Sequence, residues 1–291
     1  MVLFLITTNI NIHECTSLNT QKIVHSYTIQ MGKKVITYCL FGNKLKYCHG
    51  IIEAVVSSNI TYLGWEVRVY YSTGKQAVPE SVLDILKNLN CVLIPFSELS
   101  NGGGEDIEGM FRRFTPLNET DVDYWVSRDA DSRASQREKK MVDEWIDSDK
   151  AIHSILDNPA HGSLMGGLFG VCNKILLEKY PDKIVNIVDQ IKSVTSRPVH
   201  NTFRRGADQD WLIGHFKSIT DKKDILVHLN KRADCLPRCH IACLRPVPEH
   251  FETIMVENHP NFCGKQINYS SGNLPRPCVA IEPLNMKGTI M

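Results

Sequence analysis

Apolar positions first fall into a regular order at Lys34-Val35-Ile36-Thr37-Tyr38-Cys39-Leu40, a β-branched and aromatic run that reads as a strand. Residues 1 to about 30 show no clear period and read as an N-terminal extension to one domain over 31–291. Phe41-Gly42-Asn43 ends the strand, and the stretch from Tyr47 to Ser57 then carries Ile51, Ile52, Ala54 and Val55 at helical spacing. Trp65 to Tyr71 is a second strand. Pro79 opens a helix with Val82, Leu83, Ile85, Leu86 and Leu89, proline suiting the first turn. Cys91-Val92-Leu93-Ile94-Pro95 is a third strand. Strands alternating with helices predict an α/β domain with a parallel sheet flanked by helices. Ligands of such sheets gather beyond the carboxyl ends of strands, which makes Leu40 to Asn43, with Phe41 and Gly42 between them, a candidate nucleotide contact.

Further along, Asn101-Gly102-Gly103-Gly104-Glu105-Asp106 is a polar loop, and without a following Gly-Lys-Ser/Thr it is no Walker motif. Tyr124-Trp125-Val126-Ser127 reads as a strand running into Asp129-Ala130-Asp131. Ser135 and Glu138 have the spacing of a capping box, so a helix is expected from near Ala134 through Met141, Val142 and Trp145. Ala151 to Leu156 is a short strand, and Asn158-Pro159-Ala160-His161-Gly162 a turn. Leu164 to Tyr180 reads as a helix with Gly166, Gly167 and Gly170 near its start, continued by Ile184 to Val194. Gly206 precedes another helix, whose positive first turn holds Asp208 and Asp210. Ile225 to Leu229 is a late strand, and beyond Asp234 abundant proline and cysteine predict irregular structure. No repeat and no linker between autonomous domains is visible.

Composition changes this picture little, with 43% apolar and 22% charged residues as in ordinary soluble domains. A net charge of +1 gives no general attraction to nucleic acid or anionic membranes, so phosphate recognition has to be local. No run reaches the ~18 to 20 apolar residues of a membrane span. Val2-Leu3-Phe4-Leu5-Ile6 has no basic lead and runs into Thr7-Thr8-Asn9, which argues against a signal peptide. Ten cysteines without an even framework predict reduced thiols and a cytoplasmic protein. Cys235, Cys239 and Cys243 beside His240 lack a second CxxC knuckle, and Pro237 interrupts any helix that would gather them, so ordinary thiols are preferred over zinc.

The chemistry concentrates at Ser127-Arg128-Asp129-Ala130-Asp131-Ser132-Arg133. In extended chain, side chains alternate, so Asp129 and Asp131 would point the same way from the strand end. Such a pair suits Mg²⁺ or Mn²⁺, whose remaining positions go to water and diphosphate oxygens. Arg128 and Arg133 would screen these carboxylates or meet phosphate oxygens. Spacing alone more often describes a solvated acidic turn with salt-bridged arginines. The place after a strand, before a capped helix and ahead of Gly166-Gly167 favours a site.

From Trp125 to Gly170 the chain contains Val-Ser-Arg-Asp-Ala-Asp-Ser-Arg, Arg137-Glu138, Glu144-Trp145, His153, Asp157-Asn158-Pro159, His161 and Met165-Gly166-Gly167-Leu168-Phe169-Gly170. This resembles a family of GT-A-fold glycosyltransferases of microbes and large DNA viruses. The family pattern runs Arg-Asp-x-Asp-Ser-Arg, a Glu-Trp helix, an Asp-x-Pro-x-His turn and a Gly-Gly-x-x-Gly helix start. Tyr38-Cys39-Leu40-Phe41-Gly42 with Tyr47 and Gly50, Trp65 to Tyr70, Val78-Pro79, Met110 to Phe114 and Gly206-Ala207-Asp208-Gln209 also fit, so the likeness runs from about Lys34 to Gly264.

The resemblance implies a single GT-A domain with a Rossmann-like, mainly parallel sheet, and transfer of a sugar from a nucleotide diphosphate donor, usually UDP-linked. It implies Mn²⁺ or Mg²⁺ on Asp131 and Asp129, with Asp129 near ribose, sugar or a metal-bound water. Leu40, Phe41, Gly42 and Tyr47 would edge the nucleotide, Arg113 and Arg128 would meet the donor, and Gly166 and Gly167 would admit backbone to the sugar. For Arg113 a surface cation with a buried stem is the alternative. Asp208 would be the carboxylate at the reacting centre, with a helix cap as its alternative. The acceptor would be a glycan or protein, with no nucleic acid partner and homodimerisation left open; a viral member would act in host cytoplasm or virion.

Two departures stand out. Family members often show His-Asp-Ser where this chain has Ala233-Asp234-Cys235, leaving the third metal ligand open, with His240 and His228 as substitutes. Leu168-Phe169 replaces the common Met-Trp and keeps an apolar, aromatic pair. A decayed nucleotide-sugar binder is the alternative from another class. A haloacid-dehalogenase-type phosphohydrolase fits less well, because Ser127-Arg128 precede the first Asp and Arg133 holds the place of its threonine or valine. A sugar nucleotidyltransferase would want an early glycine-rich loop with a basic residue, and Leu40 to Asn43 is too poor.

Overall fold

The computed structural model describes residues 32–97, 105–158, 164–195, 207–219, 221–230, 252–257 and 263–265. Its eight-stranded sheet is built from β1 (Lys33–Leu40), β2 (Glu66–Ser72), β3 (Val92–Phe96), β4 (Val122–Arg128), β5 (Ile152–Leu156), β6 (Leu168–Cys172), β7 (Ile225–Asn230) and β8 (Glu252–Val256). The spatial order is β3-β2-β1-β4-β6-β5-β7-β8, and only the pairings of β6 with β4 and β5 are antiparallel. The helices are α1 (Leu45–Thr61), α2 (Glu80–Asn88), α3 (Glu105–Arg112), α4 (Gln136–Ile146), α5 (Asn173–Lys179), α6 (Ile187–Thr195) and α7 (Ala207–Ile219). This is the α/β arrangement expected: one Rossmann-like, mainly parallel sheet flanked by helices.

Alternation along the strands builds two cores. Ile36, Tyr38 and Leu40 of β1 pack with Ile51 and Val55 of α1, Leu83 and Leu86 of α2, and Trp145 of α4. Val35 faces the other side, where Phe111 of α3, Leu176 of α5, Ile191 of α6 and Phe216 of α7 gather. Helices on both faces explain why strands such as β5 (Ile152–Leu156) are buried throughout, as parallel strands usually are.

Several sequence expectations need correction. Leu164 to Tyr180 is not one helix: Leu168 to Cys172 form the antiparallel strand β6, and α5 begins only at Asn173. Phe169 and Val171 enter one core while Leu168 and Cys172 enter the other, so a continuous apolar run hid the two-residue period. Gly170 admits the Trp145 ring, since a Cβ there would lie 3.0 Å from ring carbon Cζ3. Helix α6 begins at Ile187 rather than Ile184, because Asn186 Oδ1 caps it by accepting from the Val188 and Asp189 amides at 2.9 and 3.2 Å. Strand β8 lies in the region expected to be irregular.

Ser135 caps α4 as expected, its Oγ accepting from the Glu138 amide at 3.2 Å, but Glu138 turns its carboxylate to Arg128 instead of completing the box. The extension 1–30, the loop 101–104, the turn residues 159–162 and the cysteine region 233–243 lie outside the described residues. Among those described, Cys39, Cys48, Cys91, Cys172 and Cys263 are free thiols, and no helix is long and apolar enough to cross a membrane.

Candidate active site

Strand β4 stops at Arg128 because the chain then turns, with both the amide and Oγ of Ser132 donating to the Asp129 carbonyl at 3.1 and 3.0 Å. Asp129 and Asp131 therefore sit on a turn, not on an extended strand end, and they engage different partners. Asp129 Oδ1 accepts from Arg113 Nη1 at 2.6 Å, and Asp131 Oδ2 pairs with Lys46 Nζ at 2.6 Å. The Asp129 side chain is 44% exposed and that of Asp131 only 3%.

Arg113 is no surface cation. It is buried, and its second fork nitrogen, Nη2, donates to Asp208 Oδ2 at 2.5 Å. One planar guanidinium thus bridges residues 129 and 208, each fork nitrogen giving a charge-assisted bond to a different carboxylate. Burial is the largest influence on Arg113 and opposes its charge, but Asp129 and Asp208 outweigh it and the net effect raises its pKa. The Thr37 hydroxyl donates to the Arg113 carbonyl at 2.7 Å and locks its backbone to β1. Arg113 Nε has no partner among the described residues. Asp208 lies inside the first turn of α7, and its carboxylate serves Arg113 from a buried position.

Gly166 and Gly167 occupy the turn before β6, and this cluster needs them bare. A Cβ on Gly166 would sit 2.6 Å from Arg113 Nη2 and 2.9 Å from Asp208 Oδ2, and one on Gly167 would sit 2.2 Å from Asp129 Oδ2. The Ser127 hydroxyl holds the Gly166 carbonyl. The glycines are therefore not a helix start; they make room for three charged side chains.

Other expected members are placed differently. Arg128 does not join the cluster: it is buried on the opposite face, with Nε on Glu138 Oε1 at 2.7 Å and Nη1 on the Ser127 carbonyl at 2.8 Å. The alternation that puts Ser127 and Asp129 on one face puts Arg128 on the other, a signal already present in the sequence. Arg133 binds Glu53 and the Gly50 carbonyl, pinning α1 to the turn instead of screening the acids. Leu40 turns its side chain into the core. Phe41 lies against Gly109, where a Cβ would meet its ring at 2.3 Å. Gly42 takes φ +72° and donates its amide to the Gln76 carbonyl at 2.7 Å, a turn open to glycine. Tyr47 is partly buried against the core with Lys46 Nζ 5.2 Å from its ring centroid.

His228 is unsuited as a third metal ligand, being fully buried between His153 at 2.9 Å and Glu144 at 2.8 Å; His240 lies outside the described residues. Burial pushes the Cys39 thiol up to about 12, against Arg113, so no thiolate nucleophile stands here. Asp129 and Asp131 offer oxygen ligands of the kind a hard divalent cation takes, each carboxylate here paired with its own cationic side chain. Among the described residues no third His, Cys, Asp or Glu converges to make a closed metal site. Lys46 is the member that sequence spacing missed: it stands 85 positions from Asp131, and no short motif links them.

No family model and no curated protein matches this chain. Among solved structures it is similar to a glycosyltransferase involved in the glycosylation of the major capsid of PBCV-1, at 15% identity over 68% of this chain and 84% of that one, with a TM-score of 0.39. It is similar to the galactosyltransferase LgtC in complex with donor and acceptor sugar analogues, at 14% identity over 72% and 80%, with a TM-score of 0.38. A mannosyltransferase from Pyrobaculum calidifontis in complex with GDP-Man and Mn²⁺ matches at 13% identity over 50% of this chain and 46% of its own, with a TM-score of 0.36. The chain thus spans about half the length of that enzyme. All three TM-scores lie below 0.5, so the functional reading rests on the site's own geometry.

Proposed function

We propose that this protein is a metal-dependent glycosyltransferase that binds a nucleotide diphosphate sugar, UDP-linked in the first instance, at the turn after β4. The observation that carries this is the Arg113 fork, which ties Asp129 and Asp208 together over Gly166 and Gly167 at the carboxyl end of the central strand. Three distant segments converge on a strand end where ligands of open sheets collect. Their acids and cations are too ordered for a solvated turn.

In this reading Asp129 and Asp131 hold Mn²⁺ or Mg²⁺, which when bound neutralises charge on the departing diphosphate. Asp129, the exposed member, presents its free oxygen to the donor. Arg113 keeps Asp129 and Asp208 in fixed orientation, so neither must reorganise as charge develops. Asp208 is the carboxylate on the sugar side. Gly166 and Gly167 keep their backbone close to the donor. The acceptor is a glycan or protein hydroxyl.

Calorimetry with Mn²⁺ and a panel of nucleotide sugars, with donor hydrolysis as the activity readout, tests this. One donor class binds only with the cation, chelation abolishes turnover, and Asp131→Ala loses both. Binding of every donor without metal, or full activity in Asp131→Ala, refutes it.

A further inference from the structure

We propose that Thr37 and Ser127 are positioning residues of the site: their hydroxyls hold the two turns that carry Arg113 and Gly166 at the spacing that sugar transfer requires. This rests on the reading of the site as a nucleotide-sugar site and adds two residues which that reading leaves out.

Thr37 of β1 and Ser127 of β4 are register partners, and the next pair back on the same face is Val35 with Trp125. Val35 and Trp125 belong to the apolar core. The face therefore passes from an apolar pair to a hydroxyl pair and then to the charged cluster. Both hydroxyl residues are fully buried. Thr37 Oγ1 donates to the Arg113 carbonyl at 2.7 Å, with the Val126 carbonyl a longer contact at 3.3 Å, and Ser127 Oγ donates to the Gly166 carbonyl.

Neither of the two turns lies in the sheet. Arg113 falls between α3 and a 3₁₀ turn (Thr115–Asn118), and Gly166 falls in the turn that the Leu168 amide closes on the Met165 carbonyl at 2.9 Å. Strand ladders do not reach these segments, whereas the two hydroxyls do. Phe111 and Phe114 seat the first turn in the core, but apolar contact is non-directional and a hydrogen bond sets orientation.

The gap between the turns is narrow, since a Cβ on Gly166 would stand 2.6 Å from Arg113 Nη2. Neither Gly166 nor Gly167 takes a left-handed φ, so closeness and not turn geometry requires glycine there. Losing either hydroxyl lets one turn drift against the other, which moves the Arg113 fork relative to the glycine backbone. A misplacement of about 1 Å costs about a hundredfold in rate. Asp131 is paired with Lys46 and takes part in neither hydroxyl bond, so cation and diphosphate affinity stay as they are.

Donor hydrolysis with Mn²⁺ and a panel of UDP- and GDP-sugars, on full-length wild type, Ser127→Ala, Thr37→Val and Thr37→Ser, tests this. Calorimetry with Mn²⁺ and the matching nucleoside diphosphate runs in parallel, below the melting temperature of every variant. Ser127→Ala and Thr37→Val lose about tenfold to a hundredfold in kcat, while donor KM and diphosphate Kd stay within about twofold. Thr37→Ser keeps the hydroxyl and restores the rate. A merely structural bond would lower the melting temperature without producing this split. If Thr37→Val does not fold, Ser127→Ala, which removes a single oxygen atom, carries the same expectation. Wild-type kcat in either folded variant overturns the role of that residue and leaves the donor-site reading intact. A raised KM with unchanged kcat, or Thr37→Ser as slow as Thr37→Val, also overturns it. Wild type that hydrolyses no donor and binds no diphosphate overturns the donor site and this inference together.

Discussion

At the residue scale the site is arranged by what two glycines lack. On Gly167 an added Cβ meets only the carboxylate of Asp129, the movable end of a half-exposed side chain. Gly167→Ala therefore folds with a near-normal unfolding temperature but swings Asp129 off Arg113, and a displacement of about 1 Å costs roughly a hundredfold in turnover. On Gly50 the same methyl meets backbone, the Ala130 carbonyl oxygen. Gly50→Ala must push α1 from the turn and loses about 1 to 3 kcal/mol of stability, as overpacked positions do. Thermal melts set beside donor hydrolysis separate the two; a Gly167→Ala protein with full activity would contradict the placement of Asp129. The acids were legible in the sequence because their place between a strand and a capped helix is a pattern among neighbours in the chain. Why the glycines matter was not, since the atoms they make room for come from residues 129 and 130, far from them in the chain.

At the scale of elements, β4 serves the site with one face and the core with the other. Arg128 and Glu138 form a buried pair at 2.7 Å, and the Tyr62 hydroxyl donates to the same carboxylate oxygen at 2.6 Å, tying α4 and the end of α1 to the sheet. Glu138→Gln leaves the Arg128 charge buried without its counter-ion and costs about 3 to 5 kcal/mol. Chemical denaturation measures it, and a change below about 1 kcal/mol would show that the pair does not hold these elements.

Strands β5 and β7 carry a second buried chain, His153 to His228 to Glu144, with His153 stacked on Trp145 at 5.2 Å between ring centroids. Burial, the main cause, holds both histidines below their ordinary 6.5, assisted for His153 by His228 and Arg128, while Glu144 and Asp157 partly oppose it at His228. The unfolded chain then binds protons that the folded one refuses. This stability is complete above pH 6.5 and is lost as pH falls below it. Melting temperature should drop between pH 7 and 5, and less steeply in His153→Asn; parallel profiles would exclude the pair as the cause.

At the scale of the whole molecule, late chain is tied to the middle at Asp157, the residue after β5. Its carboxylate accepts two bonds from Arg137, each 2.6 Å, and one from the Cys263 amide at 3.0 Å, while Arg137 Nη2 also donates to the Glu257 carbonyl at 2.5 Å. Gly264 follows with φ +73°, and a Cβ there would press to 2.8 Å from Leu168 of β6, beside the glycine turn of the site. Asp157→Asn cannot accept all three bonds and loses about 1.5 to 3 kcal/mol, as charged hydrogen bonds do. Hydrogen exchange over 252–257 should accelerate in that variant ahead of β1 and β4; uniform acceleration would mean that the clamp acts on the whole fold.

Apart from helix α3, which begins inside the expected loop, the strand and helix order over 34–156, the capped start of α4 and the acids of the site were legible in the sequence, because periodicity, turn residues and caps act between neighbours in the chain. Periodicity failed at β6, where both faces are buried and no polar residue marks the alternation. The Arg113 fork joining 129 to 208, and Lys46 on Asp131, were decided only by the tertiary structure. They pair residues 16, 95 and 85 positions apart, and such pairs exist only once the strand order sets which loops meet.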